Sequence, residues 1–294
     1  MLSVFTPTYN RKHLLQRLYN SLKKQICLDF EWIVVDDGST DGTEKLIKSY
    51  AENSDFPIIY HYQENSGKHI AHNKGVMLAR GELFLCLDSD DVLANENTVA
   101  DILNTWKKVG KKIDCAGMIS YKSDVSGMKL GLKFPSELEY STAVDLNIKY
   151  NCNGERCYTF RTDLLKKNLY PYFKGEKFCP DSYISDILSR NYCFYLRHSV
   201  DEICEYQSDG LSLNFKILMA HSSKAFSLCN MQLIDMECTF SKRFIRGMYY
   251  WGFLFLKYDK SIKYDGKHRF TVYLSAFPGV LLSLYYRVYR LRGL

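Results

Sequence analysis

The 294-residue sequence predicts an α/β fold, with a mainly parallel sheet flanked by helices and a helical extension at the C-terminus. Three observations carry that expectation. From Leu2 to Ser120 short apolar runs alternate with stretches of helical periodicity. Two of those runs stop abruptly on carboxylates, FEWIVV on DDGSTDGT and LFLCL on DSDD, and the C-terminal edge of an open α/β sheet is where such folds place their ligand crevice. Beyond Gly210 the pattern turns helical and rich in aromatics.

LSVFT reads as a first strand, ending at PTYN. In RKHLLQRLYNSLKKQ the residues Leu14, Leu15, Leu18 and Leu22 recur at helical spacing, with basic residues on the other face. Phe30 to Val35 is the second strand, and Glu44 to Ser49 a helix with Thr43 as its N-cap. Pro57 to Tyr62 is the third strand, and GKHIAHNKGVMLA a helix stopped by Gly81. Leu83 to Leu87 is apolar without a break and reads as a fourth strand buried on both faces. Asn95 to Val109 is helical and Lys112 to Ser120 a fifth strand, an alternation that implies right-handed crossovers. Tyr121 to Tyr150 reads as surface loop. RCYTF is a strand, TDLLKKN a helical turn and YPYFKGEKFCP a loop. A helix at Asp181 to Arg190 and strands at Cys193 to Arg197 and Ile203 to Tyr206 follow. Lys216 to Cys229, Met231 to Arg246 and Tyr249 to Lys257 are helical.

Composition narrows the class. At 46% hydrophobic and 24% charged the chain is globular, and its net charge of +6 is too modest to call for a nucleic-acid partner. Ten cysteines form no CxxC pair and no zinc-ligand spacing, which is expected of reduced thiols in a cytosolic protein. No Arg/Lys-led apolar run opens the chain, so no secretory signal is expected and the protein is placed in the cytoplasm.

Asp88, Ser89, Asp90 and Asp91 crowd carboxylates whose mutual repulsion calls for a cation or hydrogen-bond donors. A hard divalent metal, Mg²⁺ or Mn²⁺, is the economical neutraliser, because it takes carboxylate oxygens on one side and diphosphate oxygens on the other. The bland alternative is an acidic helix start. Asp37, Ser39, Asp41 and Gly42 match the opening of a calcium loop, but its twelfth position is Lys48 where a bidentate Glu is required. The patterns GxxxxGK[ST] and GxGxxG are both absent, which demotes an ordinary kinase, ATPase or dehydrogenase.

TPTYNR, FEWIVVDDGSTDGT, ENSGKHIAHNKGVMLARGE and LFLCLDSDD, in that order over Leu2 to Asp91, resemble the successive signatures of the family 2 glycosyltransferases, which have the GT-A fold. The resemblance implies a Rossmann-like GT-A domain, a nucleoside-diphosphate sugar donor (a UDP-sugar), a divalent metal and inversion at the anomeric carbon. Carried over by position, it implies that Pro7 and Tyr9 line the base pocket and that Asp37 reads the base. Gly67, Lys68 and Asn73 lie beside the diphosphate, and Asp88 and Asp90 bind the sugar-ribose and metal. Simple packing is the alternative for Tyr9, and a solvated charge for Lys68. The implied organisation is a catalytic domain at 1–212, made of a nucleotide-sugar-binding half at 1–125 and an acceptor half at 126–212. The helical extension occupies 213–294.

Inverting transfer needs a base on the acceptor side of the cleft. Members of this family acting on surface polysaccharides carry a GEKF-like stretch followed by an acidic residue that opens a helix, and GEKFCPD at Gly175 to Asp181 is similar. Asp181 is therefore the candidate base, with Glu176 and Asp186 as alternatives. The usual residue there is Glu, and an N-cap after Pro180 is the competing role for Asp181. His69 and His72, three apart on a helix, lack a third ligand at a recognisable spacing and read as cleft-flanking polar groups.

Phe270 to Tyr286 carries no charge, is flanked by Lys267, His268, Arg269 and by Arg287, Arg290, Arg292, and is interrupted by Pro278-Gly279. It barely reaches spanning length. Two readings stand: a basic-aromatic segment at the inner face of the plasma membrane, or a helix packed over the catalytic domain or against a second subunit in a homodimer. The expected function is transfer of a sugar to a saccharide or lipid-linked saccharide. A GT-A-like sugar nucleotidyltransferase is disfavoured because PTYNRKH has no Gly-rich loop. A non-catalytic binding protein is disfavoured because it would have no need of the acidic pair.

Overall fold

The structure, a computed structural model, describes residues 1–110, 114–205, 207 and 215–291. Its contacts group into two units, Met1–Leu169 with Leu188–Gln207, and Tyr170–Ile187 with Ser208–Leu294. The boundary expected at 212/213, and the strand ends expected at Lys112 and Tyr206, lie outside the described residues.

In the first unit β1 (Leu2–Thr8), β2 (Phe30–Asp36), β3 (Ile58–Tyr62) and β4 (Leu83–Cys86) run parallel in the order β3-β2-β1-β4. Every residue of β1 and β2 is buried, as strands covered on both faces must be. α1 (Lys12–Lys23) packs Leu15, Leu18 and Leu22 into one core with Trp32, Phe30 and, from α2 (Thr43–Glu52), Ile47 and Tyr50. α3 (Lys68–Leu78) lies so close to β1 that a Cβ at Gly75 would sit 2.3 Å from the Phe5 ring. That approach fixes where Lys68, its first residue, can reach.

The sheet then departs from parallel order. β8 (Arg156–Arg161) lies antiparallel between β4 and β6 (Cys115–Asp124), and β9 (Cys193–Cys204) runs parallel to β6. β5 (Val92–Leu93) and β7 (Tyr140–Ser141) pair antiparallel with β9, completing nine strands among the described residues. The two short strands expected near 193–206 are one continuous β9, with register shifts against β6 absorbing the polar middle.

Other boundaries move for local reasons. Thr43 is the first residue of α2, not its cap, because Asp41 Oδ1 accepts from both Thr43 N at 3.1 Å and Thr43 Oγ1 at 2.6 Å. α3 ends at an extended Ala79 before Gly81, with the next amide, Arg80 N, held by Glu31 at 2.7 Å. α4 (Thr98–Val109) begins after an Asn95 turn. The expected loop over 121–150 contains β7 and α5 (Ala143–Ile148), the latter capped by Thr142 Oγ1 accepting from Asp145 N at 2.9 Å. α6 (Thr162–Lys167) follows β8, and α7 (Ser182–Leu188) is shorter than the helix expected at 181–190.

The second unit holds α8 (Phe215–His221), α9 (Ser223–Leu233), a 3₁₀ turn at Ile234–Met236, α10 (Phe240–Leu254), α11 (Arg269–Leu274) and α12 (Ala276–Arg290). Phe226, Phe253 and Tyr286 form one apolar cluster, and Ile234, Tyr250 and Val272 belong to another. Pro278 lies in the first turn of α12, where its missing N–H has no helical partner, so the chain stays helical there. The change of helix falls at Ser275 instead. One face of the tail is packed, through Val272, Gly279, Ser283 and Tyr286. Among the described residues no helix is long and apolar enough to cross a membrane.

Candidate active site

The loops that follow β1, β2, β3 and β4 are tied to one another at the carboxyl edge of the parallel strands. Asp36 Oδ1 accepts from Ser39 N at 2.7 Å and its Oδ2 from the Tyr60 hydroxyl at 2.9 Å. Asp37 Oδ1 accepts from Gln63 Nε2 at 2.7 Å and Ser66 N at 2.8 Å, and its Oδ2 from Gly67 N at 2.8 Å. Gly67 has φ +96°, a conformation that side-chain-bearing residues rarely adopt, so glycine here lets the β3–α3 loop turn onto Asp37. Three of the roughly four lone-pair positions of the Asp37 carboxylate are thus engaged in holding this loop. Asn10, at φ +50°, donates its amide to Ser39 Oγ and accepts from Thr40 N, both at 2.8 Å, which joins the first two loops. Tyr9 beside it is 50% exposed, whereas Pro7 is buried in β1 opposite Val35.

The loop after β4 carries the acidic cluster, and its neutralisers are side chains. Lys68 Nζ lies 2.8 Å from Asp88 Oδ2, and Arg11 donates to Asp90 Oδ2 at 2.9 Å. Arg17 donates to the Asp90 carbonyl and pairs with Glu205. Burial pushes the Asp88 carboxyl up, but Lys68, Lys122 and Arg11 outweigh it and hold Asp88 below the usual carboxylate range. Asp90 is raised, by burial first and then by Asp88 and Asp91, with Arg11 opposing.

Behind this loop Lys122 on β6 pairs with Glu202 and stands 3.6 Å from Asp91. Burial, then the Glu202 charge, pushes the Asp91 carboxyl up to about 9, with Lys122 opposing. Asp91, Glu202 and Cys204 are the acidic and thiol group whose ligand atoms converge among the described residues. Lys122 is already the cation among them, which makes the cluster a buried internal ion pair.

The remaining sequence candidates fall in distinct places. Asn73 is half-buried on α3. His69 and His72 are buried, and His72 meets the rings of Phe5 and Phe84 edge-on. Burial and then Lys68 lower His72 to about 3, which keeps its ring neutral. Asp181, Glu176 and Asp186 belong to the second unit. Asp181 is exposed just before α7, and its carbonyl accepts from the Tyr170 hydroxyl at 3.1 Å. Glu176 is buried, and its two oxygens accept from Lys224 N and Ala225 N, both at 3.0 Å, at the start of α9. Asp186 is buried and pushed by that burial up to about 6, with Ser182 and Arg246 opposing.

Asp88 and Asp90 offer the hard oxygen donors a divalent cation takes, though Lys68 and Arg11 already stand against one oxygen of each. Their side chains remain 30% and 18% exposed, and they offer carboxylate oxygens only. Arg11, Arg17, Lys122 and Glu202 are the site residues that sequence reasoning missed. Arg11 had a signal, as the last residue of TPTYNR; Lys122 and Glu202 had none, because only strand pairing brings β6 and β9 to the acidic loop.

A family model described as Glycosyl transferase family 2 matches residues 3–173. Among curated proteins the chain is 37% identical over 102 residues to a PGL/p-HBAD biosynthesis glycosyltransferase of Mycobacterium bovis, covering 35% of this chain and 40% of that one. It is 39% identical over 109 residues to the abequosyltransferase RfbV of Salmonella typhimurium, covering 36% of this chain and 32% of that one. The chain thus spans less than half the length of these relatives. Among solved structures it resembles S. aureus TarS 1–349 in complex with UDP-GlcNAc, with TM-score 0.60 and 19% identity over 96% of this chain and 81% of that one. It also resembles the mannosyltransferase PcManGT of Pyrobaculum calidifontis in complex with GDP-Man and Mn²⁺, with TM-score 0.55 and 20% identity over 98% of this chain and 82% of that one.

Proposed function

The chain belongs to glycosyl transferase family 2, and from that premise we propose that it is a metal-dependent, inverting glycosyltransferase using a nucleoside-diphosphate sugar, specifically a UDP-sugar. Its acceptor is a saccharide or lipid-linked saccharide, and its product is cell-surface polysaccharide made at the cytoplasmic face of the membrane. Residues 1–212 form the catalytic part and 213–294 the helical extension.

The observation that carries this reading is the acidic loop after β4, where Lys68 meets Asp88 and Arg11 meets Asp90 at the edge of the parallel strands. Two carboxylates beside two cations could receive a diphosphate with its metal: Asp88 and Asp90 would hold Mg²⁺ or Mn²⁺, and Lys68 and Arg11 would turn to phosphate oxygens. The metal supplies neutralisation of the charge that grows on the leaving diphosphate. Pro7 and Tyr9 flank the base, and Asp37, which orders the Gln63–Gly67 loop, reads it. Gly67 and Asn73 flank the diphosphate. Asp181 removes the acceptor proton; its exposure favours it over Glu176, which caps α9, and over the buried Asp186.

A panel of UDP- and GDP-sugars, scored by thermal shift and by donor hydrolysis with and without Mg²⁺ or Mn²⁺, tests the reading. A shift and turnover for one donor that require the metal support it. Absence of any nucleotide-sugar response with either metal overturns it.

A further inference from the structure

The second unit presents an apolar stripe that its own packing cannot use. Phe270, Leu274, Phe277, Leu281, Leu284 and Val288 follow one another at spacings of four and three residues along α11 and α12, and each is between 47% and 74% exposed. Such spacing puts them on a single helical face. Ser275, where the chain passes from α11 to α12, has φ −81° and ψ −3°, and Leu274 and Phe277 on either side of it are both exposed.

This stripe is fixed outward by what lies on the opposite face. A Cβ at Gly279 would stand 2.5 Å from Trp251 Cβ and 3.1 Å from the Met248 carbonyl, and one at Gly247 would stand 2.2 Å from Ser275 Oγ. Trp251 Nε1 donates to the Val272 carbonyl at 2.8 Å, Ser283 is buried, and Tyr286 packs with Phe226 and Phe253. Turning α12 to bury its apolar stripe would drive bulkier side chains into the places that only these small residues fill.

We infer that the stripe is the docking face for an anionic lipid bilayer, with the α11–α12 axis lying along the membrane surface. Charge selects this occupant. Helices α10, α11 and α12 carry no carboxylate, while Arg269 on α11 and Arg287 on α12 are exposed; just before α11 the exposed Lys267 is offset by the exposed Asp265. A second copy docked stripe to stripe would bring two basic rims together with no carboxylate on these helices to answer them, whereas anionic headgroups answer both rims. An apolar helical face edged by arginine and aromatic rings is the kind that lies at the headgroup boundary. The inference extends the proposed lipid-linked acceptor and names the surface on which that acceptor is met.

The test uses the full chain in flotation with vesicles of phosphatidylcholine alone and of phosphatidylcholine with phosphatidylglycerol. Wild type floats with the anionic vesicles, and the triple variant Phe277→Ser/Leu281→Ser/Leu284→Ser loses binding by at least about tenfold. Arg269→Glu/Arg287→Glu loses the preference for anionic vesicles and keeps the question open to decision if the triple variant does not fold. Both variants keep the thermal shift given by the donor, so loss of vesicle binding with donor binding retained separates this inference from the transferase reading. Wild type that stays unbound with both vesicles, a folded triple variant that floats as well as wild type, or a lipid-free dimer in light scattering that the triple variant dissociates would each overturn it.

Discussion

The ammonium of Lys68, the first residue of α3, lies 2.8 Å from Oδ2 of Asp88, two residues beyond the end of β4. Two segments twenty residues apart in sequence thereby meet at one point of the sheet edge. With Lys122 and Arg11, the pair holds the half-buried Asp88 below the usual carboxylate range, toward the ionised state that a metal or a ribose hydroxyl needs from it.

Removing the cation partner or the carboxylate therefore has different results. Asp90→Asn, or excess EDTA on wild type, is expected to lower transfer by at least about a hundredfold, since metal neutralisation of the leaving group contributes several kcal/mol. Circular dichroism should be unchanged for the variant. Full turnover in EDTA would remove the metal from the mechanism.

Lys68→Met is expected to weaken UDP binding by about tenfold to a hundredfold in titration calorimetry, because a charge-assisted contact to phosphate is lost while Asp88 is left less neutralised. Lys68→Arg should recover part of it. Equal affinity in all three proteins would make Lys68 a solvated charge that merely rests on Asp88.

For the base, Asp181→Asn is expected to leave donor affinity intact and to slow transfer by about a hundredfold to ten-thousandfold. Glu176→Gln should instead cost about 1–2 kcal/mol of stability, because its carboxylate caps α9 through Lys224 N and Ala225 N. If Asp181→Asn transfers normally while Asp186→Asn or Glu176→Gln abolishes transfer in a folded protein, the base is one of those two carboxylates.

Glu31 gives a pH signature of folding. It is fully buried on β2, accepts from Ser3 Oγ at 2.7 Å and Arg80 Nε at 2.9 Å, and is held below the usual Glu range: burial pushes it up, but Arg80 and Ser3 outweigh that. Its folded value is below its unfolded one, so the stability it contributes is present above about pH 4 and is lost as pH falls through the folded value. Glu31→Gln should cost about 2 kcal/mol near neutrality, moderated by the exposure of Arg80, and the gap to wild type should narrow on acidification. A gap that widens below pH 4 would contradict this; denaturant melts at several pH values measure it.

What the sequence made legible follows from the range of the forces involved. The first four strands and three helices declare themselves through local periodicity, and the two acidic loops through their abrupt polarity. β8 could be read as a strand, but not as the antiparallel wedge between β4 and β6, because direction is settled by pairing across more than seventy residues. The polar centre of β9 reads as a gap between two strands, but there Arg197 and Asp201 satisfy each other at 2.7 Å inside the protein. Likewise the acidic loop was legible as needing positive charge, and Arg11 and Lys68 lie in motifs that stand out beside it in the sequence, but Lys122 was not legible, since only the pairing of β6 with β9 brings it there.

The course of the chain between its two units has a consequence for how the protein is made. The chain leaves the first unit after Leu169, returns at Leu188 and leaves again after Gln207, passing between units three times. No single cleavage isolates either one. During synthesis the stretch matched by the family model, residues 3–173, emerges with the outer edge of β6 still lacking β9. An uncovered strand edge invites pairing with another nascent chain, so a fragment ending near residue 173 should aggregate on expression although every donor-side candidate residue is present in it. Extending the fragment through Cys204 supplies the missing neighbour, and recovery of monomer at that length would locate the point in translation at which the sheet becomes self-sufficient.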